Sequence, residues 1–167
     1  MNNSETQKLT REYNKLITAI NWQIARFNQQ LSKTEIDPLP LEFSRNSYLS
    51  LGEMDWKKDK WPNSENNGVY FAFGHDTQGK HALYIGKASM SSSVGLRLQS
   101  HFTDYAHNRP FRMGSKEEAF EMDLVASIPF QDQYAFFAPA LEEFLIGEMV
   151  QMIDELDFYL INKTGKH

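Results

Sequence analysis

The chain has 167 residues, 41% of them hydrophobic, no cysteine, and a formal net charge of −5. That length suits one domain with a sizeable core, and the missing cysteines exclude disulfides, thiol nucleophiles and thiolate metal sites. The acidic balance argues against a protein that holds nucleic acid by overall charge, while leaving room for a basic patch on an acidic body.

The N-terminus, MNNSETQKLTREYNK, carries no uninterrupted apolar run of the length a signal peptide needs. No later segment approaches the roughly 20 apolar residues of a membrane span, so a soluble, cytoplasmic protein with no membrane partner is expected. From about Ser4 to about Ser32 the chain reads as one long amphipathic helix. Ser4, with Gln7 three residues on, forms a capping-box start. Leu9, Tyr13, Leu16, Ile17, Ile20, Ile24, Phe27 and Leu31 recur at spacings of three and four, which lays an apolar stripe along one face. Two uses of that stripe stay open: packing on the rest of the domain, or a seam for a homodimer or larger complex. The helix is expected to end near Lys33, and IDPLPLEF must be extended because each proline restricts the residue before it.

From Phe43 to Asn67 there is little regular pattern. MDWKKDKWPNSENNG places Trp56 and Trp61 around Lys57, Lys58 and Lys60. Such a loop can touch a phosphate backbone or stack on a base, or it can be a solvated connection with its tryptophans tucked into the core. The division expected is residues 1–65 as an N-terminal helix with an extended loop region, and residues 66–167 as the domain that carries the chemistry.

GVYFAFG and HALYIGKA are strand-like runs separated by HDTQGK, which has the Asp and Gly of a hairpin loop. A helix is expected from about Ser93 to Tyr105. AFEMDLVAS then sets Phe120, Met122, Leu124 and Ala126 against Glu121, Asp123 and Val125, the alternation of a third strand. Pro139 suits the first turn of a last long helix running to about Asp154. The order is hairpin, helix, strand, helix. It predicts a small α/β (α+β) sandwich: a central three-stranded, mostly antiparallel sheet flanked by helices, with the long N-terminal helix added.

Alternation along the strands puts Tyr70 with Ala72, and Tyr84 with Ala82, away from the more aliphatic faces formed by Val69, Phe71, Phe73, Leu83 and Ile85. On the next helix Val94, Leu98 and Phe102 make an apolar row, and Arg97 and His101 share a parallel one. If this helix lies beside the hairpin, both tyrosines, Arg97 and His101 converge. Taken singly, each is more often ordinary packing or surface.

GVY at Gly68–Tyr70 and YIG at Tyr84–Gly86, continued by YIGKA and RLQSHF, resemble the paired motifs of the GIY-YIG nuclease superfamily. The likeness is to the nuclease module of the bacterial repair excinuclease and to GIY-YIG restriction enzymes. It covers roughly Asn67 to Gly165 and includes LEEFLI at Leu141–Ile146. The resemblance implies Tyr70, Tyr84, Lys87, Arg97 and His101 as catalytic residues. It also implies Glu142, rather than Glu143, as the carboxylate that binds Mg²⁺ (or Mn²⁺). Asn162, in INKTG, would be the module's final asparagine near the nucleic acid. The expected function is a metal-dependent endonuclease that hydrolyses DNA phosphodiester bonds by a one-metal mechanism, in a compact restriction-type or defence-associated enzyme.

Within that scheme Arg97 would grip a non-bridging phosphate oxygen, where its planar fork outperforms lysine. Tyr70, relayed by His101, is preferred as base and Tyr84 as the orienting group, with the reverse left open. Lys57, Lys58, Lys60, Arg109, Arg112 and Lys116 are candidates for nucleic-acid contact, and they specify no target sequence. RNA in place of DNA stays open. So does a non-catalytic or partner-dependent subunit of a larger complex, which the acidic balance favours. His75, His81, His107 and His167 show no convergent partners, and no zinc site is expected.

Overall fold

A computed structural model of the chain describes residues 4–52, 54–55, 58–102 and 120–164. Helices α1 (Ser4–Glu12) and α2 (Asn14–Ser32) are succeeded by strand β1 (Tyr48–Ser50). The hairpin comes next, as β2 (Gly68–Asp76) and β3 (His81–Ala88), then helix α3 (Val94–Phe102). Strand β4 (Phe120–Pro129), helices α4 (Ala138–Gln151) and α5 (Ile153–Leu156), and strand β5 (Tyr159–Leu160) complete the order. No helix among the described residues is long and apolar enough to cross a membrane.

The described strands form one five-stranded sheet in the order β1-β4-β2-β3-β5, antiparallel except for the β3–β5 pair. The expected three-stranded sheet is thus its centre, β4-β2-β3. The two additions are edge strands of two and three residues, too short to leave a periodic signal in the sequence.

β2 is buried along seven consecutive residues, because both of its faces are covered. On one face Val69, Phe71, Phe73, Leu83, Ile85, Leu124, Ala126 and Ile128 pack against the stripe of α1 and α2 and against Leu141, Leu145 and Met149 of α4. On the other face Tyr70, Ala72, Ala82 and Tyr84 pack with Val94, Leu98 and Phe102 of α3. Each large side chain fully buried in these layers contributes about 1.5–3 kcal/mol. The two-faced division of the hairpin is the one its alternation predicts.

The third strand departs from simple alternation. Phe73 pairs with Leu124 but Gly74 pairs with Met122, so Asp123 is an extra residue on β4. This bulge reverses the facing of the strand. Phe120 and Met122 lie on the α3 side, Leu124 and Ala126 on the opposite side. It also aims Asp123 at Tyr13, whose hydroxyl donates to Asp123 Oδ2 at 2.5 Å, and brings His75 Nδ1 to 3.2 Å from the same oxygen.

The single N-terminal helix expected from the sequence is two helices. The helical path is interrupted at Tyr13, whose φ of −87° and ψ of 12° leave the helical region. The tyrosine is buried, its ring 5.5 Å from that of Phe73 and 5.0 Å from His81, so the anchor and the interruption coincide. The apolar stripe continues across the break. Leu9, Tyr13, Leu16, Ile17, Ile20, Ile24 and Phe27 are all buried in the chain's own core. Residues 48–50 pair with β4, so the N-terminal stretch shares both the core and the sheet of the hairpin and its neighbours.

Candidate active site

The hairpin register sets the site. Tyr70 faces Gly86 across the β2–β3 ladder, and Ala72 faces Tyr84. The Tyr70 ring lies over Gly86: a Cβ built there would stand 2.6 Å from Tyr70 Cε2 and closer still to Cζ and the hydroxyl oxygen. Only a residue without a side chain lets the phenol cross the neighbouring strand at this height. Both tyrosines are buried, and their ring centroids are 6.1 Å apart.

Helix α3 brings the remaining polar groups of this face. Its N-terminus is held by the loop at 62–67: Val94 N–H donates to Asn66 O, Gly95 N–H to Ser64 O, and Asn67 Nδ2 to Ser92 O. Gly95 is required here, since a Cβ would lie 2.8 Å from the Ser64 backbone oxygen. Asn63 adopts a positive φ of 53° and donates to Ser127 Oγ, which in turn donates to Pro62 O. Ser127 is the β4 neighbour of Tyr70, so one network fixes loop, sheet and helix together. These residues escaped the sequence reading. The one signal available was an asparagine- and serine-rich run, PNSENN, whose side chains readily bond nearby backbone.

With α3 so placed, His101 Nε2 lies 2.8 Å from the Tyr70 hydroxyl. The His101 ring meets Tyr84 edge-on with centroids 5.3 Å apart. Arg97, one turn earlier on the same face, is exposed at its surface end, and its charge reaches both phenols and the imidazole. Burial lowers the His101 pKa to about 4, and the neighbouring Arg97 cation pushes in the same direction, so the imidazole is neutral at pH 7. Burial raises Tyr70, against the opposing pull of Arg97. It also raises Tyr84, with Tyr70 and Glu142 adding to the shift. Both phenols therefore hold their protons in the resting protein.

Lys87 and Glu142 approach from the other side of β3. Lys87 shares the parity of Leu83 and Ile85, so it leaves the strand toward α4, where Glu142 Oε2 meets its ammonium at 2.7 Å. The Glu142 side chain is 14% exposed, whereas Glu143 faces solvent. Glu142 still acts electrostatically on both phenols, so the two groups of side chains share one electrostatic site around the edge of β3. No cluster of three or more His, Asp or Glu side chains among the described residues could hold a metal by protein ligands alone. Glu142 is the carboxylate at this site that could hold a cation.

The remaining described candidates have other partners. Asn162 accepts from Ile85 N–H at 2.8 Å and donates to Ile85 O at 2.6 Å, which commits its amide to the strand backbone. Lys58 and Lys60 are exposed and paired with Asp55 and Glu65, at 3.2 and 3.6 Å. Trp61 is half-buried, its ring 5.5 Å from Phe102. Trp56, Lys57, His107, Arg109, Arg112, Lys116 and His167 lie outside the described residues, as does the expected end of α3 at Tyr105. His75 and His81 do have partners: His75 stands near Asp123 and Glu121, and His81 is 3.9 Å from Glu12, all at the far end of the hairpin. Comparison with known proteins adds no relative: no family model, no curated protein and no solved structure matches the chain.

Proposed function

We propose that the chain is a divalent-cation-dependent endonuclease of the GIY-YIG type that hydrolyses DNA phosphodiester bonds. The observation that carries this reading is the contact of 2.8 Å between the buried Tyr70 and the half-buried His101, with Arg97 and Glu142 acting on the same phenol. A neutral imidazole beside a protonated phenol is a proton relay. As a water attacks phosphorus, Tyr70 takes its proton while passing its own to His101 Nε2, in the tautomer that leaves that nitrogen free to accept. General-base assistance of this kind contributes about 10²–10⁴-fold. Arg97 offers a planar fork to a non-bridging phosphate oxygen, and loss of such a donor costs about 10²–10³-fold. Tyr84, held beside the imidazole, orients the water or the phosphate.

A Mg²⁺ or Mn²⁺ ion fits the residues present: Glu142 offers hard oxygen donors, is largely buried, and already gathers a cation in the Lys87 ammonium. When bound, such an ion would supply positive charge to the phosphate and the departing 3′ oxygen. A restriction-type or defence role extends the same reading by likeness alone.

Cleavage of supercoiled plasmid by the purified chain tests the proposal, with Mg²⁺ and with EDTA, beside Tyr70→Phe and Glu142→Gln. Metal-dependent nicking or cutting that both variants lose is the expected result. An RNA substrate of matched length separates the two nucleic acids. The net charge of −5 favours a second reading, a nuclease subunit or binding module that needs a partner to reach nucleic acid. A folded chain without activity in any lane would select it.

A further inference from the structure

Among the described residues Lys87 pairs with no other acid and Glu142 with no other base. The carboxylate is 14% exposed and the ammonium side chain 37% exposed, so one partner is fixed in the wall and the other has open space to move into. The strand fixes the approach: parity sends Lys87 toward α4, and the adjacent Gly86 is occupied by the Tyr70 ring on the opposite side. A partly buried carboxylate needs a counter-charge in every state of the protein, because leaving it unpaired is costly.

We propose that Lys87 is the resident counter-cation of Glu142, so that a divalent cation binds this site by exchange, displacing the lysine ammonium from the carboxylate. The inference rests on the nuclease reading above and assigns Lys87 a role as a positioning residue. The exchange has two consequences. Lys87 lowers the intrinsic metal affinity of the free protein, because each binding event must break an ion pair at 2.7 Å. The displaced ammonium is then available to a phosphate, and a phosphate that draws it away favours metal binding by the same factor in return. Metal and DNA therefore bind cooperatively, each tightening the other by the same factor.

The test uses the full chain and Mn²⁺ alone, with free Mn²⁺ counted by electron paramagnetic resonance, then repeated with a short DNA duplex of uncleavable backbone. In Lys87→Met, Mn²⁺ affinity without DNA should rise about twofold to fivefold, the factor a partly exposed ion pair is worth. The tightening by DNA seen in the wild type should shrink toward one. Lys87→Arg keeps the charge and can hold the carboxylate with two hydrogen bonds, so its Mn²⁺ affinity should equal the wild type's or fall. This variant keeps the proposal testable if Lys87→Met fails to fold. Glu142→Gln should abolish specific binding in every case. Equal or weaker Mn²⁺ binding by a folded Lys87→Met overturns the exchange while leaving the nuclease reading intact, and so does tighter binding by Lys87→Arg. Wild-type Mn²⁺ binding that Glu142→Gln retains would overturn both.

Discussion

Replacing Gly86 with alanine puts the site's geometry to its sharpest test, because one methyl group probes the path of one phenol. The new Cβ would lie 2.6 Å from Tyr70 Cε2, with Cζ and the hydroxyl oxygen nearer still. An ordinary carbon–carbon contact is about 3.5 Å or more, so ring or strand must withdraw by about 1 Å. Tyr70 has no solvent to withdraw into, being 0% exposed. Overpacking at a site that cannot yield costs about 1–3 kcal/mol. At about 2–4 °C per kcal/mol for a chain of this size, Tm should fall by about 2–12 °C. The same displacement lengthens the 2.8 Å Tyr70–His101 contact, and a misplacement of about 1 Å costs about 10²-fold in rate. Calorimetry and plasmid cleavage read the two effects side by side. Gly147→Ala is the control, since a Cβ there meets nothing within 4 Å. In the body of α4 it should add about 0.5–1 kcal/mol and leave cleavage unchanged. A Gly86→Ala protein with wild-type Tm and wild-type cleavage would refute the packing of Tyr70 over Gly86 and the relay built on it.

Tyr13→Phe removes the donor to Asp123 and should destabilise the protein by about 1–2 kcal/mol in urea unfolding; an unchanged midpoint would mean that the interrupted helix is held by its apolar stripe alone. The His101 pKa is about 4 in the folded chain and near 6.5 unfolded, so the unfolded state binds the extra proton first. Its contribution is therefore full above about pH 6.5 and is lost as pH falls toward about 4. His101→Gln should flatten that slope of Tm against pH relative to the wild type, and parallel profiles would refute the shift. Asn162→Ala strips two hydrogen bonds from the Ile85 backbone, at a cost of about 1–3 kcal/mol, and should speed amide exchange at Ile85. Unchanged exchange there would show that the amide is not held by Asn162.

Much of the hairpin was legible because its residues obey local rules. Period-two alternation sorts Tyr70 and Tyr84 from Phe71, Phe73, Leu83 and Ile85, and the structure keeps that division. The turn was equally local: Asp76 Oδ1 accepts the N–H groups of Gln78 and Lys80, and Gly79 takes a φ of 82°. The features that escaped depend on partners remote in sequence. The bulge at Asp123 cannot be seen in β4 alone, since it is a mismatch between two strands. The break at Tyr13 arises beside a residue 110 positions away that binds its hydroxyl. The loop that seats α3 works through backbone carbonyls, which every residue possesses, and through asparagine amides whose partners the PNSENN run does not name.

In a pleated strand neighbouring residues point to opposite faces, so Tyr84 and Lys87 cannot meet over the middle of a sheet. Under the proposed function they can act on one substrate only where the sheet has an edge. β5 pairs with Ala82 and Leu83 and then ends, so from Tyr84 onward β3 keeps its β2 partner on one side and has no strand partner on the other among the described residues. An open edge of this kind normally exposes backbone groups that invite another chain. Here the amide of Asn162 satisfies both the donor and the acceptor of Ile85, as a further strand would, without bringing the side chains of a strand. The edge stays thin enough for Glu142 and Lys87 on one side to act with Tyr70, Tyr84, His101 and Arg97 on the other. In this arrangement the Asn162 amide closes the backbone of the strand edge. It explains why a side chain so far along the sequence is folded back onto the strand that carries the second tyrosine.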